Sequence, residues 1–163
     1  MAANDSRSFY TRGDSLSVGT SRQHIESALA ESGATDVLFS QRGHLHALAF
    51  RSQGRQFRII LSAPRPPGNP ALPGEAAIWS RHESTSKTLE LDARRLWHAF
   101  ALSIDAKLAA AAAGVATLES EFLAHVVLPG NHTVIDELEP VIASSYQSGQ
   151  PPLIRTATPP LDG

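Results

Sequence analysis

Five arginines, Arg42, Arg51, Arg55, Arg58 and Arg65, lie close together with no acidic residue among them. Guanidiniums on adjacent strands can neutralise successive phosphates. Downstream stand Trp79, Arg81, His82 and Lys87. An indole among cations can stack a base while they hold its phosphate. Each group also has a plainer use. Arg-rich strands are commonly just solvated, and a lone Trp more often anchors a core. His44 and His46, two apart, are placed to share one strand face, a spacing a metal accepts. With no further ligand nearby, a half-buried strand face is the better reading. The chain lacks H-E-x-x-H, G-x-S-x-G, a P-loop and G-x-G-x-x-G. No catalytic residue, metal or cofactor is expected.

Lys107 and Glu121 form the remaining pair of interest. Each is seven positions from Gly114, so a chain reversal there brings them level. Lys107 falls beside an apolar stripe, where an ammonium needs water or a carboxylate. A structural ion pair is expected.

The elements that must position these groups follow from pattern. Ala93, Trp97, Phe100, Ile104, Leu108 and Ala111 recur at helical spacing. Gly114 stops that helix, and Thr117 caps a second one continuing through Leu118, Phe122, His125 and Val126. Arg22 to Glu31 reads as an earlier helix, capped by Thr20 or Ser21 and stopped by Gly33. Three strands come next, Asp36 to Ser40, His44 to Arg51 and Gln56 to Leu61. Turns at Arg42-Gly43 and Gln53-Gly54 make them consecutive hairpins. Residues 62–87 hold five prolines, and read as one long loop carrying Trp79, Arg81 and Lys87. Thr133 to Asp136 has the form of a capping box, with a short helix from Val134 to about Ser144. Residues 1–20 read as a flexible arm and 147–163 as a disordered tail, with a single α+β domain over 21–146.

Composition sets outer limits. The 163 residues contain no Cys, so disulfides and thiolate metal sites are out. The net charge of −2 is uneven: residues 1–65 hold eight Arg against five acids, and the rest six cations against eleven acids. A basic sheet on an acidic molecule could meet phosphate locally. No apolar run has transmembrane length and the first residues lack a signal-peptide core, so a cytoplasmic protein is expected.

The order helix, three antiparallel strands, helix is shared with double-stranded-RNA-binding domains, at the level of topology alone. A closer likeness lies in particular residues. Trp97, Ala106-Lys107-Leu108, Gly114-Val115-Ala116-Thr117, Glu121-Phe122-Leu123-Ala124, Val127-Leu128-Pro129 and Thr133-Val134 resemble a family of small, uncharacterised phage- and prophage-encoded proteins. Ser17-Val18, Ser21-Arg22, Ile25-Glu26, Gly33-Ala34 and Gly54-Arg55-Gln56-Phe57-Arg58 extend the likeness upstream. The loop after Leu61 and the acidic Leu89 to Asp92 depart from it. The resemblance implies a phage-borne protein among replication and recombination genes, and carries over no activity. Two functions are expected from these readings. One is non-enzymatic binding of nucleic acid, on single strands, through Arg51, Arg55, Arg58, Trp79, Arg81 and Lys87. The other is a module that docks on a host or phage protein complex. Oligomeric state is open.

Overall fold

The Ser17 hydroxyl accepts the Thr20 N–H at 3.0 Å, so the first helix, α1 (Val18–Glu31), starts earlier than Thr20 or Ser21 would have placed it. A computed structural model describes residues 16–65 and 75–152, with the side chains of 75–84 excepted. Most of the expected arm, the centre of the Pro-rich stretch and most of the tail lie outside the described residues.

Three strands form an antiparallel sheet in the order β1 (Thr35–Arg42), β2 (Leu45–Ser52), β3 (Arg55–Ser62). The β2–β3 turn has Gln53 and Gly54 both at positive φ, 51° and 76°. That is the type I′ geometry, whose twist suits a two-residue hairpin. His44 lies in the other turn, not on a strand. Its side chain meets Arg65, whereas the His46 ring packs edge-on against Trp97 at 5.4 Å. The two histidines therefore do not form a shared pair. Among the described residues no group of three or more His or acidic side chains could hold a metal.

The long helix α2 runs Glu75–Ala112. It overturns the expectation of a loop through residue 87. The last proline of the stretch is Pro73, and after Gly74 no Pro or Gly occurs until Gly114. Nothing there interrupts helical hydrogen bonding. Trp79, Arg81 and Lys87 thus belong to a helix, and the acidic Leu89 to Asp92 lies within it.

Gly114, at φ 74°, ends the reversal after α2 in the left-handed conformation expected of a helix stop. The second arm is shorter than expected. α3 (Leu118–Glu121) holds a single turn, with a capping box between Thr117 and Ser120. A 3-10 turn, Leu123–His125, follows. The chain then becomes extended, and Val126 bridges to Phe57. Val127 donates to the Gln56 carbonyl at 2.8 Å. The unpaired edge of β3 offers those partners, and they outweigh a second helical turn. The last helix, α4 (Val134–Ser148), is capped by Thr133 and ends on Gly149. No helix among the described residues is long and apolar enough to cross a membrane.

One core forms between the helices and a single face of the sheet. Ile25 and Leu29 of α1, Leu48, Phe50, Phe57 and Ile59 of the sheet, and Trp97, Phe100, Ala101 and Ile104 of α2 are all buried. Phe122 closes it, edge-on to Phe50 at 5.5 Å. The architecture is α+β.

Candidate docking surface

Side chains alternate between the two faces of a strand. With Leu48, Phe50, Phe57 and Ile59 inward, the register fixes what the opposite face carries. Leu38, Ala49 and Arg58 form one row, Ser40, Ala47 and Ile60 the next, and Arg42, Leu45 and Ser62 the end row. Arg51 and Gln56 face each other at the other end. Among the described residues no helix covers this side: Leu38 is 63% and Ile60 55% exposed. The centre is apolar and shallow, because Ala47 and Ala49 are small. Guanidiniums mark its periphery.

The structure separates the arginines expected to act together. Arg51 and Arg58 belong to the open face. Arg55 pairs with Ser52, which is buried toward the helices, so it lies on the covered side. There it meets Glu119 of α3 at 3.2 Å. Arg51 stands 3.7 Å from Asp36, both largely exposed. Arg58 donates to Asn131 Oδ1 at 2.9 Å and to the Asn131 carbonyl at 2.8 Å. It also stands 3.9 Å from Asp136. Arg42 forms no ion pair among the described residues. Lys87 is exposed on α2. The side chains of Trp79 and Arg81 lie outside the described residues.

Asp136 ties α4 to this corner. Its carboxylate accepts the Thr133 hydroxyl at 2.7 Å and the Thr133 N–H at 2.8 Å. These bonds, the hydroxyl's first, hold its pKa below the ordinary carboxylate value, and Arg58 adds to them. Beyond this root α4 buries none of its residues. Ile135, Leu138, Ile142 and Tyr146 recur at three, four and four, and every one is exposed, Tyr146 at 88%. That is an apolar stripe that no element among the described residues covers. Its acids are Asp136, Glu137 and Glu139, and it contains no cation.

Reading the sequence for charge missed Leu38, Ile60 and the α4 stripe. A signal was present. Ile59-Ile60-Leu61 is apolar on both strand faces, which a half-solvated sheet does not need. No family model, curated protein or solved structure matches the chain.

Proposed function

We propose that the protein is a non-enzymatic docking module whose open sheet face receives an acidic amphipathic helix of a protein partner. The observation that supports this reading is the make-up of that face: Leu38, Leu45, Ala47, Ala49 and Ile60 at its centre, with Arg42, Arg51 and Arg58 around them. Exposed apolar surface with a charged surround is the usual composition of a protein-binding patch. Strands of eight residues are about 26 Å long and three of them about 10 Å across, which one helix of 10–12 Å diameter covers. Nucleic acid fits less well. The face has no aromatic side chain on which a base could stack, and Arg55, one of the expected phosphate contacts, lies on the covered side against Glu119.

The test is fluorescence anisotropy with a labelled synthetic helix carrying Leu at helical spacing and Glu elsewhere, titrated against dilute protein. Binding is expected, weakened at least about tenfold by Ile60→Asp. A basic peptide of the same apolar pattern is expected to bind poorly. Equal binding of both peptides, or of neither, overturns the reading. Tight, salt-dependent binding of single-stranded DNA that Arg51→Ala weakens replaces it with the nucleic-acid one.

A further inference from the structure

The open face and α4 have complementary properties, and among the described residues neither has a covering element. We infer that they cover each other between two copies of the chain, with α4 of one copy lying on the sheet of its partner. The inference rests on the docking reading above and names the partner.

Three observations carry it. The first is charge. Glu137 and Glu139 form no ion pair among the described residues, and neither does Arg42. Arg51 holds Asp36 only at 3.7 Å, in the open, a contact weak enough to be exchanged. A helix whose only charges are acidic therefore meets a face on which the Arg42 and Arg51 guanidiniums can turn to it. The second is shape. α4 has 15 residues, about 22 Å of helix, close to the length of the strands. Ile135, Leu138, Ile142 and Tyr146 make a ridge of large side chains, and Ala47 and Ala49 leave a shallow floor between Leu38 and Ile60. The third is placement. Arg58 fixes the root of α4 at a corner of its own sheet, yet the helix does not lie across that sheet, since Leu38, Ile60 and the stripe all stay exposed. The helix is anchored at its root and leaves its stripe exposed. Exchange between two copies satisfies both surfaces of both chains, as a two-fold dimer requires.

Sedimentation of the full chain at micromolar concentration tests the inference. A dimer is expected. Ile142→Glu spoils the helix and Ile60→Asp spoils the face, so each variant alone is expected to be monomeric. Both side chains are exposed, and circular dichroism checks that each variant is folded; Tyr146→Asp and Leu38→Asp replace any that is not. Mixing the two variants is expected to restore association, because the intact helix of one then meets the intact face of the other. A monomeric wild type overturns the inference. So does a dimer that survives Ile142→Glu, or a mixture that fails to associate, which marks packing of like on like. The synthetic-helix titration separates these failures from failure of the docking reading. Monomeric Ile142→Glu keeps a free face and is expected to bind that peptide at least as well as wild type. If the peptide binds and the chain stays monomeric, the face is a docking site and only its partner has been misassigned.

Discussion

Lys107 Nζ donates to the backbone carbonyl of Glu121 at 2.8 Å and lies 3.5 Å from the Glu121 carboxylate. The ammonium also stands 5.6 Å from the centre of the Phe122 ring. One cation thus satisfies the end of α3, pairs with an acid and faces an aromatic that closes the core.

The two partners are therefore unequal. Lys107→Ala removes all three contacts and leaves a half-buried carbonyl unbonded, at a cost of about 1.5–3 kcal/mol. Glu121→Ala leaves the backbone bond intact and costs less than about 1 kcal/mol. Denaturant unfolding of the single variants and the double variant checks both figures. Equal losses would show that the carboxylate, not the carbonyl, is the main partner.

Arg58→Ala should release the root of α4. The two bonds to Asn131 and the approach to Asp136 go together, with a loss of about 1–3 kcal/mol. Arg58→Lys should not restore stability, because an ammonium cannot span the side-chain and backbone oxygens of Asn131 with a planar fork. Hydrogen exchange is the local readout: amides of residues 131–137 should lose protection before those of the sheet. Unchanged protection there would contradict the anchoring role.

The β2–β3 turn places a non-glycine residue, Gln53, at φ 51°. Gln53→Asn should stabilise the protein by about 0.5 kcal/mol, since Asn tolerates that conformation better. Gly54→Ala should destabilise it by about 1–2 kcal/mol. No atom lies within 4 Å of an added Cβ at Gly54, so that loss would be backbone strain alone. Urea midpoints of the two variants should move in opposite directions; movement the same way refutes the turn assignment.

Stability should fall as pH drops below about 6.5. Burial lowers the pKa of His125 from its ordinary 6.5, and Lys107 lowers it further. Burial against Trp97 and repulsion from Arg22 act on His46 in the same direction. The unfolded chain then takes up protons that the folded one refuses, so stability present above the ordinary value is lost down to the folded one. At still lower pH Asp136 adds a second loss, as its depressed carboxyl is finally protonated. Unfolding midpoints at pH about 7.5 and about 5.5 measure the histidine part. His125→Gln should flatten part of that slope, and an unaltered slope would remove His125 from the account.

Local pattern determined much of the fold. Helical spacing from Trp97 to Ala111 marked the inward face of α2, the Gly43 and Gly54 turns marked two hairpins, and the Thr133 to Asp136 capping box marked the start of α4. These are interactions between near neighbours, so composition and spacing suffice for them. The symmetry of Lys107 and Glu121 about Gly114 was legible for the same reason. What tertiary structure decided is which surfaces receive a cover. Whether Val126 continues a helix or joins β3 depends on an edge some seventy residues away in sequence. Arg51, Arg55 and Arg58 look equivalent in a row of charges, but pairing register sends Arg55 to the helical side and the others to the open one. The apolar stripe of α4 would ordinarily signal a buried helix. Only the packed chain shows it exposed, beside a sheet face that no described element covers.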